Sequence, residues 1–201
     1  MDEDRKQRHA ERMKRKKEIV DAAIERATRE KGLVLVITGN GKGKSTAAFG
    51  MVFRALGHDQ RVGVIQFIKG SDFTGEVTLL QRQFPQVPYY GMATGFTWDT
   101  QNWDADHQAA LEVWERGKAM LQDPACDVVL FDEITYMFQY KYLDLNEVVT
   151  AIRNRPPEQS VILTGRAAQP GLLEIADTIS IIADERHAFH DGIKARAGID
   201  F

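Results

Sequence analysis

From Leu33 onward, short apolar runs alternate along the chain with amphipathic stretches. This alternation is typical of strands joined by helical crossovers in a mostly parallel sheet. It predicts six strands, at Leu33–Thr38, Arg61–Phe67, Val87–Gly91, Asp127–Phe131, Ser160–Thr164 and Thr178–Ile182. Right-handed crossovers bring the carboxyl ends of all the strands to one rim, where open α/β sheets bind their ligands. We therefore expect functional residues directly after the strands.

Apolar residues at helical spacing predict three helices between these strands. One covers Ser45–Leu56 and ends at Gly57, and a shorter one covers Leu145–Ile152. A long helix follows the third strand, and we expect Asp104 to be its N-cap. The residues expected on its buried face are Ala110, Val113, Trp114, Gly117 and Leu121.

A glycine-rich turn follows the first predicted strand and runs directly into a helix. It comprises Gly39, Asn40, Gly41, Lys42, Gly43, Lys44, Ser45 and Thr46. Glycines let the backbone N–H groups point inward, the helix N-terminus adds partial positive charge, and Lys44 neutralises phosphate oxygens. The turn therefore predicts a P-loop nucleotide site, with Lys42 as a second cation and the Ser45 hydroxyl on Mg²⁺, or alternatively Mn²⁺.

The first position of this turn departs from the usual P-loop. In the motif G-x-x-x-x-G-K-[ST], a glycine stands five residues before the second glycine. Thr38 occupies that position here, and the glycine is displaced to Gly39. A plain glycine-rich turn is the alternative interpretation, but the flanking strand and helix favour a phosphate site, with room for an unusual phosphate geometry.

Two carboxylates and one guanidinium follow later strands at the same rim. Asp132 and Glu133 follow the fourth strand as in a Walker B element, which holds magnesium directly or through water opposite Ser45. Alternatively, one of these two acids caps the next helix without any metal. Arg166 follows the fifth strand, where it is either a phosphate contact or a surface arginine.

Histidine and cysteine side chains give weaker signals. His187 and His190 lack further ligands at a convincing spacing, so we interpret them as surface residues rather than zinc ligands. Cys126, the single cysteine, is interpreted as a strand-edge thiol, and it cannot form a disulfide within the chain. This fits a reducing compartment.

Composition and charge limit the class of protein. The chain has 201 residues, 43% of them hydrophobic and 27% charged, which predicts one main domain at 31–201 preceded by a basic helical arm at 1–30. Residues 1–31 contain 11 basic and 8 acidic side chains of the chain's 26 and 29, so these residues carry +3 and the remainder −6. An acidic body without base-stacking aromatics beside the arm argues against nucleic-acid binding.

The arm and the hydropathy pattern give two further expectations. Ile19, Val20, Ala23 and Ile24 form a small apolar stripe by which the arm is expected to dock. The longest strictly aliphatic run, Leu33–Ile37, is far shorter than the roughly 20 residues of a membrane span, and no secretory signal is seen. We therefore expect a soluble, cytoplasmic protein without a membrane partner.

Residue chemistry alone leads to a magnesium–nucleotide protein. The P-loop serves ATPases, small-molecule kinases and non-catalytic binding proteins equally well, and no acceptor site for a kinase is evident. The residues alone do not decide among these three classes of protein.

Several motifs taken together resemble one family. They are the segment from Gly39 to Ala48, Gln66–Gly70, Gly95–Trp98 (Gly-Phe-Thr-Trp), Phe131–Tyr136, Leu163–Arg166 and Gly192–Phe201, which ends Gly-Ile-Asp-Phe. This combination resembles the ATP:corrinoid adenosyltransferases of the CobA/BtuR type over nearly the whole chain. Ser45 stands where threonine is common in the family, and Ala167–Pro170 also departs from its pattern.

The resemblance implies both a fold and a reaction. The fold would be a P-loop NTPase-like sheet, and the enzyme would transfer the 5′-deoxyadenosyl group of ATP to the Co(I) centre of a corrinoid, releasing triphosphate. Lys42 and Lys44 would act on the leaving group, with the nucleotide held in the opposite sense to ordinary P-loop enzymes. Phe96 and Trp98 would displace the lower axial ligand of the corrinoid.

The resemblance also implies partners. These are a reduced flavoprotein as electron donor and a second copy of the chain in a homodimer. The basic arm would cover the corrinoid site.

Overall fold

The computed structural model describes residues 3–68, 74–92 and 102–201. The chain divides into two compact units, Met1–Glu30 and Lys31–Phe201. The first unit consists mainly of helix α1, Glu3–Arg26.

Helix α1 is strongly charged, and its side chains pair along its own surface. The Arg8 guanidinium lies 2.7 Å from the Asp4 carboxylate one turn away. Ile19, Val20 and Ile24 lie on this helix, and the docking of the apolar stripe stays a prediction. Within the described ranges, neither α1 nor any other helix combines the length and the apolar character needed to cross a membrane.

The second unit is built on one six-stranded sheet in which every strand pair is parallel. The strands are β1 (Val34–Thr38), β2 (Val62–Gln66), β3 (Tyr89–Gly91), β4 (Val128–Asp132), β5 (Ser160–Thr164) and β6 (Thr178–Ile181). Their order across the sheet is β3-β2-β4-β5-β1-β6. The predicted mostly parallel α/β sheet is therefore confirmed, with every strand end within two residues of its predicted position.

Helices cover both faces of this sheet. They are α2 (Lys44–Leu56), α3 (Gly75–Gln83), α4 (Trp103–Gln122), α5 (Thr135–Gln139), α6 (Leu145–Arg153) and α7 (Pro170–Ile175), followed by a 3₁₀ turn at Ala188–Asp191. Helices α2 and α3 pack on one face, and α4, α6 and α7 on the other. The sequence pattern did not predict α3, α5 and α7, which are short.

The core follows the period-2 alternation of the strands. Val129 and Phe131 of β4 face the α4 side, whereas Val128 and Leu130 face the α2 side. Because both faces are covered, strand β4 is buried along its whole length. This burial makes β4 a rigid support for the acidic residues at its carboxyl end.

The long helix begins earlier than predicted. Asn102, not Asp104, is the N-cap of α4, because the Asn102 side-chain oxygen accepts a hydrogen bond from the N–H of Ala105 at 3.2 Å. Asp104 lies inside the first turn, where its negative charge still favours the helix N-terminus. The buried face of α4 contains all five predicted residues, and Asp106 and Met120 in addition.

Candidate functional site

A cavity of about 620 Å³ lies at the carboxyl ends of the strands, within the second unit. It is lined by Asn40–Thr46, Phe53, Thr74–Glu76, Leu79, Glu133, Arg166, His187 and Gly198–Phe201. The predicted glycine-rich turn, one of the two predicted acids and the predicted arginine therefore share one cavity.

The glycine-rich turn joins β1 to α2, and its backbone conformation is compatible with an anion site. Gly43 is the N-cap of α2 and has a φ of 106°, a left-handed conformation that glycine adopts without strain. The first turn of α2 contains no acidic residue, so the positive end of the helix dipole faces the cavity unopposed by its own helix.

The segment after β6 packs closely on this loop. The N–H of Gly41 donates to the carbonyl oxygen of Ile182 at 2.8 Å, and a Cβ at Gly41 would overlap the carbonyl oxygen of Ala183. The Gly41 amide is thus engaged within the protein, while its absent side chain permits the close approach.

Lys44 is held inside the loop. It is only 7% exposed, and its Nζ donates to the carbonyl oxygen of Gly41 at 2.8 Å. Burial lowers the pKa of Lys44, and the nearby Arg166 acts in the same direction, whereas Glu133 and Asp132 oppose the shift. An ammonium group in a partly dehydrated loop interacts more strongly with a polyphosphate than one in water.

Lys42 has a partner within the chain that the sequence pattern did not predict. Its Nζ lies 2.9 Å from Asp200 Oδ1, and both side chains remain partly exposed. A hydrogen bond from the Arg196 N–H and the contact with Lys42 lower the pKa of Asp200. For Lys42 to contact phosphate, its exposed ion pair with Asp200 would therefore have to break.

The two carboxylates at the end of β4 have different surroundings. Asp132 is 1% exposed, and its oxygens accept hydrogen bonds from Gln66 Nε2 and the Thr164 hydroxyl, both at 2.7 Å. Glu133, in contrast, lines the cavity. The alternative of a helix cap is excluded, since Ile134 occupies the N-cap position of α5 and no side chain caps that helix.

The position of Glu133 is fixed by its backbone conformation and by a hydrogen bond from its N–H. Its φ is 59°, a left-handed conformation that is uncommon for a residue with a side chain. Its N–H donates to the Thr164 hydroxyl at 2.8 Å, and that hydroxyl in turn donates to Asp132. The buried Asp132 thus supports, through Thr164, the residue that faces the cavity.

The same hydrogen-bond network extends to the edge strand. Gln66 Oε1 accepts a hydrogen bond from the Tyr89 hydroxyl at 2.8 Å, so polar side chains of β3, β2, β4 and β5 are connected across the sheet. Burial, together with the charge of Asp132, raises the pKa of Tyr89 to about 12. Tyr89 therefore stays a neutral donor throughout the physiological range.

Sequence reasoning missed several cavity residues. Glu76 lies on α3, where its Oε1 accepts a hydrogen bond from the Thr46 hydroxyl at 3.1 Å. His187, interpreted above as a surface residue, is half-buried and lines the cavity, while His190 is exposed. For Gly198–Phe201, the only indication in the sequence was the family motif Gly-Ile-Asp-Phe, and that motif did not predict what these residues do.

Two further predictions concern the aromatic pair Phe96 and Trp98 and the thiol of Cys126. Phe96 and Trp98 lie outside the described residues. Cys126 is buried just before β4, and burial raises the pKa of its thiol to about 11, so it is not an activated nucleophile.

The residues present fit a magnesium ion that is bound together with a nucleotide. In the described part of the chain, no group of three or more His, Cys, Asp or Glu side chains is arranged to hold a metal alone. Magnesium sites at nucleotides need fewer, because one or two protein oxygens combine with phosphate and water ligands. The Ser45 hydroxyl and the Glu133 carboxylate both line the cavity and are such oxygens.

Comparison with known proteins identifies the family of this chain. Residues 30–201 match the family described as ATP:corrinoid adenosyltransferase BtuR/CobO/CobP. The chain is 51% identical to the corrinoid adenosyltransferase of Escherichia coli (strain K12), over 97% of this chain and 98% of that protein. It is 49% identical to the corrinoid adenosyltransferase CobA of Salmonella typhimurium, with the same coverage of both chains.

A third relative extends the comparison to another genus. The chain is 48% identical to the corrinoid adenosyltransferase of Pseudomonas aeruginosa, over 97% of this chain and 96% of that protein. Identity near one half over nearly complete chains, together with the family match, establishes common descent. This chain belongs to the ATP:corrinoid adenosyltransferase family and is a transferase.

Proposed function

We propose that this enzyme transfers the 5′-deoxyadenosyl group of ATP to the Co(I) centre of a corrinoid such as cobalamin, cobinamide or cobyrinic acid a,c-diamide, and releases inorganic triphosphate. The observation that carries the proposal is the cavity that Lys44 of the glycine-rich turn shares with Arg166 and Glu133, in a chain of this family. These groups suit the binding of a magnesium polyphosphate.

The reaction requires no nucleophile from the protein. The electron pair of Co(I) forms a bond to C5′ of ATP, and the C5′–O5′ bond breaks with its electron pair going to the triphosphate. Cobalt is thereby oxidised to Co(III) in the alkylated product. The reduced corrinoid, which we expect a reduced flavoprotein to supply, carries the difficult chemistry, and the enzyme orients the two substrates.

The protein's contribution is to stabilise the leaving triphosphate. Negative charge develops on this group as the C5′–O5′ bond breaks, and preorganised cations stabilise it at no reorganisation cost. Lys44 is held by Gly41 for this role, and Lys42 joins it when its exposed pair with Asp200 opens. The Arg166 guanidinium lies on the wall of the same cavity.

We assign magnesium binding to Ser45 and Glu133. When bound, the ion neutralises phosphate charge as a Lewis acid. Asp132 is assigned a supporting role, because both of its oxygens already accept hydrogen bonds within the sheet.

A labelled substrate tests the proposed transfer. The enzyme is incubated with Mg-ATP carrying ¹³C at C5′ and with chemically reduced cobalamin, and we expect the label to become bonded to cobalt. Hydrolysis or phosphoryl transfer without corrinoid would instead indicate an ATPase or a small-molecule kinase. Binding of both substrates without turnover would indicate a non-catalytic binding protein.

The corrinoid half of the proposal rests on Phe96 and Trp98. Flat apolar side chains beneath a corrin ring would exclude the lower ligand and water, leaving a cobalt that is easier to reduce. Trp98→Ala is therefore expected to slow the reaction that starts from cob(II)alamin more than the reaction with preformed cob(I)alamin. Equal losses in the two assays would contradict a role in ligand displacement.

A further inference from the structure

Thr38 stands where the usual P-loop has its first glycine, and its side chain has a definite partner. It is the last residue of β1 and only 8% exposed. Its Oγ1 accepts a hydrogen bond from the N–H of Ala168 at 3.2 Å. A glycine at this position would offer no such acceptor, so the departure from the motif has a structural consequence.

Ala168 belongs to the loop 165–169, which follows β5 and carries Arg166. This loop has an unusual backbone, with a φ of 142° at Gly165 and 48° at Ala167. Ala167 is therefore in a left-handed conformation that costs free energy for a residue with a Cβ. Such a conformation persists only where surrounding contacts hold it.

Contacts from two sides hold the loop. From β1, the carbonyl oxygen of Ile37 accepts from the N–H of Gly165 at 3.2 Å, and Thr38 accepts from Ala168. From α5, Gln139 Nε2 donates to the carbonyl oxygen of Arg166 at 3.1 Å. The Thr38 contact is the one that ties the part of the loop after Arg166 to the strand leading into the P-loop.

The held loop presents Arg166 to the cavity. Its side chain is exposed and lines the cavity wall. Within the described ranges, its guanidinium has no ion-pair partner, and its charge acts on Lys44 in the same pocket. A guanidinium in this setting is available for bidentate contact with phosphate oxygens.

We propose that Thr38 is a positioning residue, whose hydroxyl fixes the loop 165–169 so that Arg166 faces the polyphosphate of the bound nucleotide. The inference rests on the proposed function in one respect, namely that Arg166 contacts the polyphosphate. It adds a reason for threonine at the first P-loop position: the residue acts on phosphate through another loop.

A double-mutant cycle tests this inference. The variants Thr38→Val, Thr38→Ser, Arg166→Ala and Thr38→Val/Arg166→Ala are compared by calorimetric binding of ATP and of inorganic tripolyphosphate, without corrinoid. Loss of one hydrogen bond that orders the loop is expected to weaken both ligands about fivefold in Thr38→Val. Thr38→Ser keeps the acceptor and should bind like the wild type.

The cycle separates positioning from a merely structural effect. In the Arg166→Ala background, Thr38→Val should produce no further loss, because the group it orients is gone. A fivefold loss in both backgrounds would overturn the inference, and so would unchanged binding by Thr38→Val. Unchanged binding by Arg166→Ala would overturn both the Arg166 contact and the role of Thr38.

Two controls keep these outcomes distinct. Denaturant unfolding of each variant checks the fold, and Thr38→Ala replaces Thr38→Val in the cycle if the valine variant is unfolded. Failure of the proposed function would show as wild-type enzyme that binds ATP but forms no cobalt–carbon bond. Since the cycle measures binding alone, such a failure would not alter what it shows about Thr38.

Discussion

The two rims of the central sheet use polar side chains in opposite ways. At the amino-end rim, polar side chains hydrogen-bond to the main chain and cap the strand ends. At the carboxyl-end rim, buried polar groups hold other charged groups against a cavity. The comparison separates the residues that stabilise the fold from those that we propose to act on substrate.

Gln159 and Arg155 show the pattern of the amino-end rim. Gln159 is 2% exposed, and its Nε2 donates to the carbonyl oxygens of Met120 and Cys126, both at 2.9 Å. Arg155 donates to the carbonyl oxygens of Gln159 and Gly32 at 2.7 and 3.1 Å. These side chains satisfy main-chain groups that would otherwise be buried without partners.

Carboxylates at this rim also cap strands rather than face a ligand. Asp127 accepts from the N–H of Arg61 at 2.7 Å, and Asp177 accepts from the N–H of Val34 at 3.0 Å. Each of these bonds satisfies a donor at or beside the first residue of a strand. At the carboxyl-end rim, Lys44, Glu133 and Arg166 instead line a cavity.

The largest expected effect is that of Lys44→Ala on catalysis. Removing a preorganised cation from the leaving triphosphate should lower kcat/KM for ATP about 100- to 1,000-fold. Stability should change little, because the lost hydrogen bond to Gly41 is offset by relief from burying an ammonium group. Steady-state kinetics and denaturant unfolding measure the two quantities, and near-normal turnover would contradict the phosphate role of Lys44.

Glu133→Gln should act through the metal. The magnesium concentration for half-maximal activity is expected to rise about tenfold or more, since an amide is a weaker magnesium ligand than a carboxylate. The neighbouring Asp132→Asn is the matched comparison, and its main expected effect is on stability. A larger shift in magnesium dependence for Asp132→Asn than for Glu133→Gln would reverse our assignment.

Gln159→Ala tests the opposite rim. It leaves buried carbonyl oxygens without their donor, so the free energy of unfolding should fall by about 2 kcal/mol. The KM for ATP should stay at the wild-type value, since Gln159 lies at the other end of the strands. Gln122→Ala, at an exposed position, is the control, and a selective loss of ATP binding in Gln159→Ala would break the separation of the rims.

Asp177→Asn gives the smallest expected effect, which depends on pH. The Lys31 ammonium and the Val34 N–H lower the pKa of Asp177 below its ordinary value of 3.8. The carboxylate therefore stabilises the fold fully above that value, and this contribution is lost as pH falls through the lowered pKa.

The exposed setting of the pair limits its magnitude. We expect wild type to exceed Asp177→Asn in stability by less than about 1 kcal/mol near neutral pH, with asparagine still accepting from Val34. Urea unfolding at a series of pH values should show this difference vanish on acidification. A difference that grows towards acid pH would have the wrong sign for this account.

Local patterns predicted most of the fold, and the glycine-rich turn between β1 and α2, because both depend on residues close in sequence. The buried strand β5 was predicted at its observed ends, and Lys44 and Ser45 directly follow a strand and its glycine-rich turn. The N-cap of α4 was misplaced because Asn102 and Asp104 are both good capping residues and the pattern does not decide between them.

The rest of the site depends on contacts between distant segments. The pairing of Lys42 with Asp200 joins residues that only the folded chain brings together. The difference between Asp132 and Glu133 likewise arises from Gln66 and Thr164 on neighbouring strands. Hydropathy contains no signal for such partners.

The central claim is that the P-loop holds a triphosphate leaving group while carbon, not phosphorus, is attacked. Phosphorus-31 NMR of the products formed from Mg-ATP and reduced corrinoid tests it most directly. The account predicts inorganic triphosphate in a one-to-one ratio with the cobalt–carbon product. ADP and orthophosphate appearing in place of triphosphate would contradict it.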